Sequence, residues 1–393
     1  MKQFIVITLL ASTVLSASGQ HSIDGVLSSI EANNKELQAN KQLTASKKLE
    51  VKLDNNLADP SVSYVHQYGN REGMGMQGEL VASQSFDFPT VYAQRSKLIK
   101  SQAAGFDRQG AEFRQQILLQ AKEVCLDLVL LNQQKALLDQ RRENAEQLAA
   151  LYATRLESGD ANILETNKIN LELLNAKTEA RMNESARIAK LQELATLNGG
   201  IAIEFNDTTY APVEDILSFE ELCQEAVTSN PQLLTLKSEQ VTARRQISVN
   251  KSKGLPGFEL GYRLNTASGG ERFNGFLVGV SIPLFSNRNN VKQAKAQALY
   301  TDLQLESTTT AIESELHQLY NQSVALRTSM DEYNTVLKSQ NSLALLNKAI
   351  QTGQISMIEY FVDITTLYQS MQNYMQLQNE YQKVMSQLYK YKL

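Results

Sequence analysis

The chain has no tryptophan, two cysteines, three histidines and six prolines in 393 residues. Two cysteines cannot build a disulfide framework, and with His21, His66 and His317 scattered along the chain they cannot build a four-ligand metal site. An excess of one charge is missing as well. The 38 Lys+Arg stand against 42 Asp+Glu, a net charge of −4, which removes the general attraction to nucleic acid. A mean hydropathy of −0.31 excludes a bundle of transmembrane helices. After the first twenty residues there is no long apolar run, so any passage through a membrane must use a β-barrel. The sequence offers no nucleophile–base arrangement, no phosphate-binding glycine loop and no carboxylate pair in a catalytic context, so an enzyme has no support.

What is present begins with a processing signal. Met1-Lys2 supplies a positive start, Phe4 to Leu15 is an apolar run of twelve, and Ala17-Ser18-Gly19 leads into Gln20. Residues 1–19 read as a secretory signal peptide, too short to span a bilayer as a helix. No cysteine follows the cleavage region, which argues against a lipoprotein route.

The few prolines expose an internal duplication. Pro60 and Pro256 lie 196 residues apart, and Pro89 and Pro283 lie 194 apart. At the second offset Gly159 meets Gly353 and Glu165 meets Glu359, while at the first Asn34 meets Asn230 and Leu37 meets Leu233. The distance from proline to glycine is 70 residues in both copies. The first repeat is placed at 20–198, an irregular linker at 199–213 and the second repeat at 214–393. Each copy reads as a helical segment, a proline, two strands, a second proline, a long helix, a glycine turn and a returning helix. Pro231, after Asn230, suits the first turn of a helix, where its missing N–H is harmless.

Strands are expected at about 61–68, 79–88, 257–265 and 275–284. In the second copy Phe258, Leu260, Tyr262 and Leu264 share one face, and Phe276, Val278, Val280 and Ile282 share another. Alternation over eight to ten residues suits a sheet between two different solvents, and transmembrane barrel strands need about 9–11 tilted residues. Four strands cannot close a barrel, and open edges are not tolerated in lipid, so strands in a membrane would have to be pooled from several chains.

Between Gly110 and Gly159, and between Pro283 and Gly353, neither proline nor glycine occurs. Roughly 65–70 helical residues span roughly 100 Å. Ile117, Val124, Leu131, Leu138, Ala145 and Tyr152 recur every seven residues, as do Leu305, Ile312, Leu319, Leu326 and Tyr333. Leu128, Leu316, Met330, Leu337 and Ala344 thicken the stripe, which reads as a coiled-coil core. Gly159 and Gly353 suit left-handed C-terminal positions, and Asn162…Glu165 and Ser356…Glu359 suit capping boxes opening the returning helices.

Together these features resemble the outer membrane efflux protein (TolC) family, over about residues 22–393. The motifs are Arg155…Gly159…Glu165, Ala349…Gly353-Gln-Ile-Ser356-Met-Ile-Glu359 and the strand-ending Pro89 and Pro283. The resemblance implies a mainly α fold with a small β part. Three chains would share a 12-stranded transmembrane β-barrel in the outer membrane, above a coiled-coil tunnel across the periplasm. It implies a passive homotrimeric channel, with a periplasmic adaptor (membrane fusion) protein and an inner-membrane efflux pump as partners and outer membrane lipid around it. No cofactor, resident metal or nucleic acid is implied. The length resembles shorter members, including the cation-efflux branch.

In that family two acidic residues past the second turn constrict the tunnel, six and nine positions after the glycine. Here Glu359 occupies the first, Val362 the second, and Asp363 follows one step later. Glu359 is equally readable as the N3 member of a capping box. The turns around Arg155, Gly159, Asn162 and Glu165, and around Gly353 and Ser356, are the expected adaptor contacts. Pro60, Pro89, Pro256 and Pro283 mark the boundaries between helix and barrel. Cys125 and Cys223 read as unrelated thiols, and His66 with Met74 and Met76 as a surface loop. The competing class is a periplasmic coiled-coil adaptor or structural protein without a barrel.

Overall fold

A computed structural model describes residues 22–212, 216–338 and 342–393; the expected signal peptide at 1–19 and Val213, the last linker residue, lie outside them. The chain divides into two compact units. One, the helical unit, takes the chain up to Lys35, Ile117–Glu214 and Gln322–Gln387; the other, the sheet unit, takes Glu36–Gln116, Asp215–Asn321 and Leu388–Leu393. The order is α1 (Ile23–Asn33), α2 (Lys35–Leu53), β1 (Ser61–Tyr68), β2 (Met76–Phe86), α3 (Pro89–Glu157) and α4 (Ile163–Leu197). Then come α5 (Phe219–Ser229), α6 (Pro231–Ser252), β3 (Gly257–Ala267), β4 (Arg272–Ser281), α7 (Asn290–Lys338), α8 (Ser342–Gln351) and α9 (Met357–Leu388). The duplication is visible in that order: helices, two strands, a long helix and a return, twice.

In the sheet unit the four strands form one antiparallel sheet in the order β1-β2-β3-β4. In the same unit α3 and α6 approach closely: a side chain on Gly105 would come within 3.3 Å of the Ser238 hydroxyl. Ser101 and Thr242 bond across at 2.9 Å, and Gln109 donates to Glu239 at 3.2 Å. Pro89 stands at the first position of α3, as the sequence predicts. The second copy differs. Pro283 does not open a helix directly; a turn covers Ser286–Asn289, Asn289 takes a left-handed φ of 67°, and α7 starts at Asn290. Asparagine tolerates that conformation because its short polar side chain bonds locally.

The strands also depart from expectation at their ends. β2 begins at Met76 and stops at Phe86, and β3 runs on to Ala267, with β4 from Arg272 to Ser281. The glycine-rich loops contract accordingly. Gly69 N–H closes the first on Gly75 O at 3.0 Å, and Ser268 accepts from Met76 N–H at 2.7 Å.

The helical unit holds the interrupted start of the chain. The helical segment expected before Pro60 breaks at Asn34, whose backbone (φ −59°, ψ 123°) leaves the helix. Its buried amide donates 2.8 Å to Leu197 O, and Asn33 and Ser29 both donate to the Asn198 side chain. Asn230, its counterpart, has nearly the same backbone (φ −62°, ψ 118°) and instead caps its own helix, accepting from Gln232 and Leu233 with Pro231 in the first turn.

The seven-residue stripe is core over most of its length: Ile117, Val124, Leu128, Leu138, Ala145 and Tyr152 on α3, and Ile312, Leu316, Leu319 and Leu326 on α7, are all buried. Leu131, Leu305, Met330, Tyr333 and Leu337 are half-buried, and Ala344 is exposed, a correction to its place in the stripe. The linker lies on the helical unit as a strap. Ile203 and Phe205 are buried. Asn132 donates to Phe205 O and Asp207 O, and Gln133 to Thr208 O at 2.8 Å.

Beside the strap, Asp127 on α3 receives Lys383 of α9 at 2.5 Å and Lys190 of α4 at 3.3 Å. Asn379 donates to it at 3.1 Å, and Tyr210 of the strap donates to Asn379. Burial alone would raise the Asp127 carboxyl, but these hydrogen bonds and the two ammonium charges outweigh it and hold the group below its ordinary value. A depressed carboxylate contributes stability that is complete above the unfolded value near 4 and is lost as pH falls through the folded value. Acid unfolding of the helical unit, followed by circular dichroism, is therefore expected to steepen below about pH 4. Asp127→Asn should flatten that limb; an unchanged acid limb would remove the cluster from the account.

Candidate functional site

Two places carry the sequence-predicted residues. In the sheet unit the register decides which side chains share a face, since residues directly opposite across strands point the same way. Val62, Tyr64 and Tyr68 of β1 stand opposite Ala82, Leu80 and Met76 of β2. Leu80, Ala82 and Phe86 then stand opposite Leu264, Tyr262 and Phe258 of β3. Phe258, Leu260 and Tyr262 in turn face Val280, Val278 and Phe276 of β4. One face is thus apolar across all four strands, and it is uncovered: Phe276 is 93 % exposed, Val278 74 % and Val62 72 %.

The opposite face is the more polar one, although Val65, Val81, Phe273 and Leu277 also lie on it. Ser61, Ser83, Gly261 and Gln67 lie on it, with Glu79, Glu259 and Arg263. Arg263 pairs with Glu79 across the strands. A side chain on Gly261 would come within 2.6 Å of Ala82 O, so the glycine permits the close approach of β3 to β2. β1 and β4 are the edges, and among the described residues each has one side without a strand partner. Pro60 directly precedes β1, Pro256 precedes β3, Pro89 follows β2 and Pro283 follows β4.

The helical unit holds the two hairpin turns, which are built alike. Gly159 (φ 81°) donates to Leu156 O while Asp160 N–H reaches Arg155 O at 2.8 Å; Gly353 (φ 70°) donates to Ile350 O while Gln354 N–H reaches Ala349 O at 2.9 Å. Each pair of bonds closes the last turn of the helix around a left-handed glycine. Both returning helices then open on reciprocal caps. Asn162 accepts from Glu165 N–H at 3.0 Å and Glu165 accepts from Asn162 N–H at 3.2 Å. Ser356 accepts from Glu359 N–H at 3.2 Å and Glu359 accepts from Ser356 N–H at 2.8 Å.

Glu359 therefore is the N3 member of a capping box, and the Ser356 backbone and hydroxyl bonds hold its carboxyl below the ordinary range. It is exposed, as are Val362 and Asp363 on the same helix. Arg155 lies over the Tyr152 ring at 5.2 Å and donates, at 3.5 Å, to Gln351 O, so the first turn reaches the second.

Beneath the turns Leu148, Tyr152, Ile169, Ile350, Tyr360, Ile364 and Tyr368 form one buried cluster. Sequence reading missed the polar clamp beside it. Arg141 of α3 binds Glu172 and Glu179 of α4, both at 2.7 Å, and stacks over Tyr368 of α9, whose hydroxyl accepts from Asn144. No spacing rule links residues so far apart in the chain. Cys125 and Cys223 are both free thiols; burial pushes Cys125 up to about 12. Among the described residues no group of three or more His, Cys, Asp or Glu could hold a metal ion, and no helix is long and apolar enough to cross a membrane.

The resemblance drawn from the motifs is borne out by comparison. Residues 222–391 match the family model described as outer membrane efflux protein. No curated protein matches the chain. The fold is similar to that of CusC, whose structures are described in terms of folding and transmembrane channel formation (TM-score 0.78, 16 % identity, 94 % of this chain and 91 % of that one). It is similar to a membrane protein from Pseudomonas aeruginosa (TM-score 0.77, 16 % identity, 94 % and 89 % covered). It is also similar to the outer membrane protein VceC from Vibrio cholerae (TM-score 0.76, 12 % identity, 94 % and 95 % covered). These likenesses span nearly the whole chain and both repeats.

Proposed function

From the outer membrane efflux protein match as premise, we propose that the chain is the outer membrane channel of a tripartite efflux or secretion system. It passively exports what an inner-membrane pump delivers through a periplasmic adaptor. The observation that carries this reading is the sheet: an uncovered apolar face across four strands, a more polar face behind it, and two open edges. Such a sheet is unstable in water by its apolar face and unstable in lipid by its edges. Both problems vanish when β4 of one copy pairs with β1 of the next and three copies close a 12-stranded barrel, apolar side outward. The helical unit then belongs to the periplasmic tunnel.

Glu359 and Asp363, three-fold repeated, form the constriction in this reading, and the turns at Arg155, Gly159, Asn162 and Glu165 and at Gly353 and Ser356 dock the adaptor. A ring of carboxylates favours cations. Glu359→Gln with Asp363→Asn is expected to raise the single-channel conductance of the closed form or weaken its block by divalent cations. Unchanged conductance and block in planar bilayers would remove the ring. Docking is tested by cross-linking from Asn162→Cys and Ser356→Cys to the adaptor; failure at both in a strain with working efflux would remove the turns from the docking site. The whole reading is tested by fractionation. Heat-resistant trimers in detergent-extracted outer membranes that conduct in bilayers support it, and soluble monomers in the periplasm would end it.

A further inference from the structure

A groove in the helical unit shares only Asp363 with the proposed constriction and docking residues. It runs between α7 and α8 on one side and α9 on the other, with a volume of about 740 Å³. Its floor is Leu346 and Leu367, both packed against the buried cluster beneath the turns, so the floor is fixed by a core and does not have to form around a ligand. Its walls are Tyr333, Val336 and Leu345, and the last two are each 63 % exposed, unusual for large aliphatic side chains. Two carboxylates, Glu332 and Asp363, stand at the lining. Among the described residues no lysine or arginine lines it, and neither carboxylate has an ion-pair partner.

We propose that this groove binds an amphiphilic organic cation, with its apolar body on Leu346 and Leu367 and its charge beside Glu332, Asp363 and the Tyr333 ring. The volume is that of a site for a drug-sized molecule. The charge selects among occupants. A neutral apolar ligand would strip water from two carboxylates and give nothing back. A hydrated metal ion would satisfy the carboxylates and leave the apolar floor wet. A cation spread over an apolar body satisfies both, and an aromatic face adds attraction for it. The proposal goes beyond the channel reading and does not depend on it, because binding is measured on the purified chain. Binding without conductance would sink the channel and leave the groove.

The test is equilibrium dialysis of tetraphenylphosphonium against the full chain in nanodiscs, with empty nanodiscs subtracted. Saturable binding is expected, at least ten-fold tighter than that of the neutral triphenylphosphine oxide. The double variant Glu332→Gln with Asp363→Asn should weaken it at least ten-fold. No saturable binding, equal binding of the neutral analogue, or no loss in the double variant would each overturn the proposal. A second measurement does not depend on the double variant folding. In Leu345→Cys, tetraphenylphosphonium should slow alkylation by a neutral maleimide at least five-fold, counted against the parent chain with its native Cys223. Absence of protection, or a disulfide joining the introduced thiols of two copies across the groove, would show the site closed to ligand and overturn it.

Discussion

Phe276→Arg is expected to abolish the heat-resistant trimer in the outer membrane, while Ser63→Arg leaves it intact. Phe276 lies near the middle of β4 and is 93 % exposed on the apolar face. Ser63 lies near the middle of β1 on the more polar face, opposite Val81. An arginine on the lipid side of a barrel near the bilayer midplane costs about 2–4 kcal/mol. Three copies carry it three times, which amounts to roughly 6–12 kcal/mol against the stability of one assembled channel, comparable to the whole stability of a domain. The measurement is trimer yield on gels run without boiling, from outer membranes of matched expression. The two variants add the same charge to the same sheet, so expression and toxicity cancel. If both assemble, the even-numbered face does not meet lipid and the barrel is wrong; if both fail, charge as such is not tolerated and facing is not being read.

The second large effect is expected at the strap. Phe205 is 1 % exposed and is held in place by Asn132, which donates to its carbonyl and to that of Asp207. Phe205→Ala removes a buried ring at a cost of about 3–5 kcal/mol. Besides the buried Ile203, the other ties of the strap among the described residues are Gln133 to Thr208 O, Gln382 to Ala211 O at 3.5 Å and Tyr210 to Asn379 at 3.4 Å. Three kcal/mol is roughly a 150-fold change in the equilibrium between a docked and a lifted strap. Limited proteolysis between Glu204 and Thr208 should accelerate about 100-fold or more, since cleavage tracks the open population when reclosing is fast. Asn132→Ala should do the same more weakly. Parent-like cleavage in Phe205→Ala would mean that the strap is secured elsewhere.

Much of this was legible because repetition writes itself plainly. Prolines and glycines at matching offsets placed the strand hairpins and both turns, and the left-handed glycines followed from the same punctuation. Alternation assigned the faces in the second copy correctly, with Phe258, Leu260 and Tyr262 standing opposite Val280, Val278 and Phe276. Other features left no local trace. The break at Asn34 uses neither proline nor glycine; it depends on an amide reaching Leu197, 163 residues on. The delayed start of α7 depends on one left-handed asparagine at 289. Arg141 with Glu172, and Asp127 with Lys190 and Lys383, are pairs between helices, and nothing in either local sequence names its partner. Periodicity tells which face of a helix is buried but not which charge will sit opposite.

The sheet's register has a consequence for how the gene can vary. Every strand shows even-numbered residues on the apolar face, without a bulge to absorb an extra residue. Losing or gaining one codon within β3 would invert all side chains beyond it, putting Glu259 or Arg263 where Leu260 and Tyr262 stand. Two codons would restore the alternation. Length variation in these strands should therefore come in pairs, while the helices tolerate it only in steps near three, four or seven residues. A single-codon deletion at Gly261 is expected to be as damaging as the loss of the whole hairpin.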